Sequence, residues 1–239
     1  MIKFEKCDVW GFAHAIRGMR NSMNSWDKSD SRYEYCNGYN ESCRDCECGD
    51  VDCHNGRYYL IGENDRMLMK QLVKAGSSHR KFLRQIFVSV DITAPLYWWK
   101  EYETYKVGTV SNSCSTMHKI SAKEFTLDDF SHEHLTTRSM ELLLQTIKYL
   151  NECRDLYVNH ETHYNNGFAK PTKKEVWWQM IQLLPSSYNQ KRTVTMSYEN
   201  LLNICNQRRN HKLDEWHDFC DWIFTLPYSE ILKAGVIDT

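Results

Sequence analysis

An α+β fold, with a small twisted sheet surrounded by helices, is what this sequence predicts, and three observations carry it. The run IFVSVDIT at 86–93 alternates apolar and polar residues with a period of two, as a half-buried strand does. Later stretches, above all residues 139–158, repeat apolar residues at steps of three and four, the period of a helix packed on one face. Helical patterns outnumber strand-like ones, and no internal repeat or Pro/Gly/Ser-rich linker divides the chain, so a single domain over residues 1–239 is expected.

The elements follow in order. WGFAHAIR opens with a short helix and passes into a segment of Asn, Ser and Asp around Trp26, where side chains compete for backbone hydrogen bonds and make an ordered loop. Residues of about 33–60 form a cysteine-rich, glycine-containing insert with neither helical nor strand period. Asn64 is placed to cap the helix DRMLMKQLVKAG, with Leu68, Leu72 and Val73 as its apolar face and Gly76 as its stop. In the strand at 86–93, Val88, Val90 and Ile92 share one face, and Ser89, Asp91 and Thr93 the other. Thr93 is expected to cap a helix over 95–106, with Pro95 near its first turn, where a missing N–H costs nothing.

The stretch TYKVGTVSNSCST, 104–116, then carries one cation, Lys106, and no further charge, and reads as a loop. A long amphipathic helix over 139–158 should bury Met140, Leu143, Leu144, Ile147 and Leu150. KKEVWWQMIQLLP is a helix ended by Pro185, RTVTM is a short β-prone run, Ser197 caps YENLLNICNQRR, and DEWHDFCDWIF is the last helix.

Composition limits the function. Lys and Arg number 30 against 31 Asp and Glu, a formal charge of -1, so no general basic field draws the protein to nucleic acid or an anionic membrane. Any anionic ligand must be held by local groups. Glu5, Lys6 and Asp8 interrupt the apolar core that a signal peptide needs, and no run approaches the roughly 18 apolar residues of a membrane span, so a cytoplasmic protein is expected. The ten cysteines are then read as thiols or metal ligands rather than disulfides.

Several groups could carry chemistry. Cys43, Cys46, Cys48 and Cys53, with Cys36 and His54 nearby, offer more than the four ligands of a structural zinc, although Cys43 and Cys46 alone stand at Cys-x2-Cys spacing; the other reading is free thiols in a surface insert. His132 with His134, and His160 with His163, lack the two-His helical spacing with an interposed Glu that metalloproteases use. The pairs Trp98–Trp99 and Trp177–Trp178 read as core or interface packing before stacking platforms. Gly-x-Gly-x-x-Gly after a strand, Gly-Lys-Ser/Thr and Gly-x-Ser-x-Gly are all absent, which disfavours the common dinucleotide, P-loop and hydrolase chemistries. Cys114 could be a nucleophile with Lys106 or His118 lowering its pKa, or an unremarkable thiol.

The order LMKQLVKAGSSH, IFVSVDITAPLYWWKEYE, Thr104-Tyr105-Lys106, VGTVSNS, Cys114-Ser115-Thr116 resembles the flavin-dependent thymidylate synthase family. Leu-Leu-Pro at 183–185 and LLNICNQR at 201–208 resemble its Leu-Pro segment and its Asn-Leu-Arg helix. The likeness covers residues of about 64–120 and 173–222. It implies a homotetramer that binds FAD and a nucleotide and methylates dUMP to dTMP with methylenetetrahydrofolate and reduced flavin, with NADPH as a further cosubstrate. By resemblance, His79, Thr104, Tyr105 and Lys106 fall at flavin-binding positions, and Glu101, Asn112, Cys114, Ser115, Thr116 and Arg208 at substrate-binding ones, with Cys114 the catalytic candidate against the pyrimidine. This chain departs from the family where Thr104, Tyr105 and Lys106 replace Arg-His-Arg, Thr116 replaces an Arg, Glu101 a Gln, Asn112 an acid, and Ile181 an Arg. Arg84 and Gln85 stand where Glu-His would follow the Gly-His turn. Lys106 and Arg208 are expected to hold a nucleotide or flavin phosphate together. The alternatives are a diverged flavin- or nucleotide-binding enzyme with a different substrate, and a non-catalytic binding or assembly protein on the same scaffold.

Overall fold

The computed structural model describes residues 2–35, 57–159 and 171–237. Its elements in chain order are β1 (Lys3–Trp10), α1 (Phe12–Asn21), β2 (Arg32–Tyr35), β3 (Arg57–Leu60), α2 (Glu63–Lys74), β4 (Phe87–Pro95), α3 (Leu96–Tyr102) and β5 (Val110–Ser113). There follow α4 (Thr116–Lys119), α5 (Thr137–Val158), α6 (Lys173–Leu183), β6 (Asn189–Ser197), α7 (Tyr198–Arg208), α8 (Asp214–Ile223) and α9 (Glu230–Lys233). The fold is α+β: a four-stranded sheet of order β1-β4-β6-β5, a separate antiparallel pair β2–β3, and helices. In the pair, Arg32 stands opposite Leu60 and Tyr35 opposite Arg57. Among the described residues, no helix is long and apolar enough to cross a membrane.

By its contacts the chain falls into two compact units. One comprises Met1–Cys7, Val90–Val194 and Lys212–Phe219, the other Asp8–Ser89, Thr195–His211 and Cys220–Thr239. In the first, α5 and α6 pack together: Leu143, Ile147, Leu150 and Cys153 bury against Val176 and Met180, with Phe125 and Phe130 filling the end. Full burial of such a side chain stabilises the fold by about 1.5–3 kcal/mol relative to exposure. Leu144, expected in this seam, is instead 48% exposed, because the apolar run along α5 is wider than the stripe that α6 covers. A second cluster is aromatic. Trp98 lies 4.7 Å from Trp216 and 5.7 Å from Phe219 between ring centroids, and Trp98, Trp99 and Tyr102 are all buried, so the first tryptophan pair is core.

The other unit is organised around the start of α2. Asp65 is fully buried and its Oδ1 accepts from Arg20 Nε at 2.6 Å, while Oδ2 accepts from the hydroxyls of Ser29 and Ser31, each at 2.6 Å. The polar segment after α1 is thus ordered, as its composition predicts. Asn64 does not cap α2; the Asp30 carboxylate reaches over and accepts from the backbone N–H of Asn64 at 2.9 Å and of Asp65 at 3.1 Å. A cap supplied from another segment leaves no local sequence signal. The apolar face of α2 is also turned slightly from the one expected: Met69 and Val73 are buried, and Leu68 and Leu72 only partly so.

Gly11 joins β1 to α1 with φ of 101°, and a Cβ there would lie 2.0 Å from the Gln85 carbonyl oxygen, so both its conformation and its space require glycine. Ser197 caps α7 as predicted, its hydroxyl accepting from Asn200 N–H at 3.3 Å while the Asn200 carboxamide accepts from Ser197 N–H.

Candidate functional site

β4 extends through Pro95 and hands directly to α3, so Thr93 remains in the strand and is not a cap. The first N–H groups of α3 are met by backbone instead: Leu96 donates to Tyr188 O at 3.0 Å and Tyr97 to Ser186 O at 3.1 Å. The helix ends at Tyr102, four residues before the expected limit, and Thr104 closes it by donating its hydroxyl to Glu101 O at 2.8 Å. Tyr105 packs its ring 6.0 Å from Trp216. Gly108, at φ 75°, then turns the chain, and Thr109 donates its hydroxyl to Tyr105 O at 2.6 Å.

The stretch read as a loop is partly a strand. Val110–Ser113 form β5 at the edge of the sheet, beside β6, with all four residues exposed. Cys114 continues the pairing for one bond, its N–H donating to Lys191 O at 3.0 Å, and Ser115 caps the short α4 by accepting from His118 N–H at 3.2 Å. Lys106, Asn112, Cys114 and Ser115 are exposed; Glu101, Tyr105 and Thr116 are partly buried. Among the described cysteines Cys114 is exposed, Cys7 intermediate and the others buried.

What holds this stretch is Gln190 of β6, a residue the sequence did not single out. Its carboxamide Nε2 donates both to Cys114 O at 3.1 Å and to Thr116 Oγ1 at 3.0 Å, and its Oε1 accepts from Arg192 Nε at 2.9 Å. Its backbone carbonyl accepts from the indole of Trp99 at 2.9 Å. Arg192 in turn lies with its guanidinium carbon 4.3 Å from the Trp99 ring centroid and donates from Nη1 to Glu103 Oε1 at 3.2 Å. Gln190 and Arg192 occupy the strand register of buried Val194 and Met196, and two polar residues in a buried register are the signal that marks them. On the neighbouring register, Lys191 pairs with Glu5 at 2.8 Å. Its hydrogen bond to Glu5 raises the ammonium pKa and lowers that of Glu5. The Tyr97 phenol is held well above its ordinary range by burial and by the bond it donates to Glu215.

His79 and Arg208 belong to the other unit. His79 is exposed in the turn after α2, its N–H donating to Gly76 O at 3.0 Å, and Arg208 is the last residue of α7 and partly buried. Beside His79, Arg80 was also missed: it donates from Nε to Glu199 Oε2 at 3.0 Å and from Nη2 to Asn203 Oδ1 at 2.9 Å, tying the turn to α7. Among the described residues no group of three or more His, Cys, Asp or Glu is placed to hold a metal. His132 bonds Phe130 O through Nδ1, and His134 pairs with Asp214. Cys36, Cys43, Cys46, Cys48, Cys53, His54, His160 and His163 lie outside the described residues.

No protein-family model matches the chain, and neither does any curated protein. Solved structures do. Thymidylate synthase X from Helicobacter pylori, with FAD and dUMP, aligns over 100% of both chains at a TM-score of 0.62 and 13% sequence identity. A second structure of the Helicobacter pylori enzyme, complexed with FAD and dUMP, aligns over 99% of both chains at 0.59 and 13%. This chain has the flavin-dependent thymidylate synthase fold. Within it the β4–α3–β5–α4 segment carries the positions expected for ligand contact in one unit, and the Gly76–His79 turn with α7 carries those of the other. The likeness is one of fold, at 13% sequence identity.

Proposed function

We propose that this protein is a diverged flavin-dependent thymidylate synthase-like enzyme, binding FAD and a deoxyuridine nucleotide and methylating dUMP to dTMP with methylenetetrahydrofolate and NADPH as cosubstrates. The observation that carries this is the full-length likeness to the Helicobacter pylori enzyme structures, which contain FAD and dUMP. The donor set along residues 104–116 fits a phosphate-bearing ligand: the Lys106 ammonium, the Asn112 carboxamide and the Ser115 hydroxyl are exposed, and donors of these kinds meet phosphate oxygens. When bound, a flavin supplies the hydride chemistry. The chain's own residues do the holding: Lys106 as a point charge on phosphate, Thr104 and Tyr105 beside it, His79 at the flavin and Arg208 as the bidentate anchor of the nucleotide, with Glu101, Asn112, Ser115 and Thr116 around the base and Cys114 presenting its thiol to the pyrimidine. A homotetramer in the cytoplasm completes the reading.

A neutral side chain in place of a bidentate arginine weakens the hold on a phosphate by about 1.5–3 kcal/mol, so ligand affinity should be well below that of an arginine-anchored site. A second reading, an enzyme of this scaffold with a different substrate, is favoured by Arg192. Arg192, bonded to the Gln190 side chain that holds the 114–116 segment, is already engaged by Gln190 and Glu103, which suits a less charged ligand.

Titration of FAD and of dUMP at fixed salt tests the proposal. The purified protein should be yellow or take up flavin, Arg208→Ala should weaken dUMP binding more than Lys106→Ala, and dUMP with flavin should yield dTMP. Flavin uptake without dUMP binding would select the second reading. Failure to bind either ligand would leave a non-catalytic binding or assembly protein.

A further inference from the structure

In the second unit the end of β1, the start of α1, the β2–β3 pair and the turn before α9 wall a cavity of ≈ 580 Å³, a size that suits a small molecule. Aromatic rings line it: Trp10, Phe12, Tyr33, Tyr59 and Tyr228, with His14 beside them. Tyr33 and Tyr59 stand opposite each other across the β2–β3 pair, their ring centroids 4.8 Å apart and their planes at 67°, so they form a corner rather than a flat surface. Phe12 and Tyr228 form a second corner, at 5.2 Å and 72°. Trp10 stacks on Phe87 at 5.9 Å and is still 46% exposed, and Tyr33 is 47% exposed, so both rings can be reached from solvent.

Two of the tyrosines are held by their own polar ends. The Tyr228 hydroxyl accepts from Ile61 N–H at 3.1 Å and donates to Tyr59 O at 3.4 Å, and the Tyr59 hydroxyl is bonded to Ser31. Tyr228 also takes a φ of 54°, a left-handed conformation that a bulky residue seldom adopts, and strain of this kind is kept where the surrounding structure holds a side chain in a working position. What these two residues offer the cavity is therefore ring surface rather than hydroxyls. The faces of Trp and Tyr are electron-rich and attract a cation within about 6 Å of the ring centroid. A primary ammonium would need acceptors for its N–H groups, whereas a quaternary ammonium has none to satisfy and meets ring faces through its methyl groups. His14 adds one directional contact. Arg17 can only donate, so the 3.3 Å bond between its Nη2 and His14 Nδ1 makes that nitrogen the acceptor and leaves the hydrogen on Nε2, a donor for an oxygen of the ligand.

We propose that this cavity binds a small quaternary ammonium compound that also carries an oxygen, of the choline or betaine class: the rings box the methylated nitrogen, and His14 meets the hydroxyl or carboxylate. None of these side chains is among the positions assigned to flavin or nucleotide, so the site stands whether or not the protein makes dTMP.

The test titrates choline, glycine betaine, tetramethylammonium and the neutral alcohol in which carbon replaces the choline nitrogen against the full chain, by calorimetry at one ionic strength. Choline or betaine should bind about tenfold more tightly than the neutral alcohol, and the tighter of the two identifies the oxygen function. Its N-methyl proton resonance should move upfield on binding, as a group held over ring faces does. Trp10→Leu and Tyr33→Leu, at residues that are about half exposed, should each lose about tenfold of that affinity at an unchanged fold, while Tyr33→Phe, which keeps the ring, should stay within about twofold of the parent. Trp178→Leu, at an exposed tryptophan of α6, should lose none. His14→Ala should weaken choline or betaine and leave tetramethylammonium, which has no oxygen, unchanged. Equal affinity for the neutral alcohol, no binding of either compound, or binding unchanged in both Trp10→Leu and Tyr33→Leu would each overturn the site. An equal loss of tetramethylammonium in His14→Ala would overturn the contact assigned to the imidazole.

Discussion

Replacing Gln190 by leucine removes one side chain of nearly unchanged volume and three hydrogen bonds. Two are neutral, to Cys114 O and Thr116 Oγ1, and the third is accepted from the charged Arg192. Neutral bonds contribute about 0.5–1.5 kcal/mol each and a bond to a charged group about 1.5–3 kcal/mol, so the gross loss is about 2.5–6 kcal/mol. Leucine regains part of this, because the position is only 7% exposed and an apolar side chain is favoured there. Arg192 keeps its contacts with Trp99 and Glu103. The expected net destabilisation is about 2–4 kcal/mol, or a fall in Tm of about 4–16 °C for a chain of this size. Urea denaturation measures the global loss, and amide hydrogen exchange locates it: the Cys114 N–H, bonded to Lys191 O at 3.0 Å, should exchange faster by more than the global change explains. Gln179→Leu, an exposed glutamine on α6, is the control and should change stability by less than about 0.5 kcal/mol. A loss below about 1 kcal/mol with unchanged Cys114 exchange would refute the assignment of Gln190 as the residue that fixes this segment.

Three further outcomes are expected. Asp65→Ala should cost about 3–5 kcal/mol in urea denaturation because it strands the buried Arg20, and adding Arg20→Met should restore part of that; a double variant no more stable than the single one would contradict the pairing. Burial alone would raise the pKa of Asp30, but the N–H groups of Asn64 and Asp65 outweigh it and hold the carboxyl below its usual value. That stabilisation is therefore present above the unfolded pKa of about 3.9 and lost as pH falls through the folded value, so Tm should drop more steeply below about pH 4 in the parent than in Asp30→Asn, and parallel slopes would exclude it. Maleimide should label Cys114 within the folded state while Cys153, Cys205 and Cys220 react only on unfolding, as peptide mapping can show; early labelling of the buried three would contradict their burial.

The strand β4, the helices α5 to α8 and the Ser197 cap were legible in the sequence because each is specified locally, by a period or by a capping residue a few positions away. β1 was not, since Lys6, at φ 50°, breaks its alternation and places Phe4, Cys7 and Val9 out of simple step. β2 and β3 form the two ends of the insert, which was read as having no strand, because their pairing is a long-range event with no local signature. At the candidate site, the exposed residues of 104–116 were found through their order along the chain. The residues that hold them, Gln190 and Arg192, were missed because their partners lie about 75 to 90 positions away, and a polar residue on a strand reads as solvent-facing until its neighbour is known. Arg80 escaped for the same reason, its partners Glu199 and Asn203 being on α7.

The junction at Gly11 limits how the sequence can vary. A backbone at φ 101° with a carbonyl oxygen 2.0 Å from where a first side-chain carbon would sit admits no other residue, whatever happens to the ligands the protein holds. This glycine is bound to the path of the chain. Any variant that keeps the β1–α1 turn against residue 85 must keep glycine at its centre, so this position constrains the path of the chain independently of whatever the protein binds.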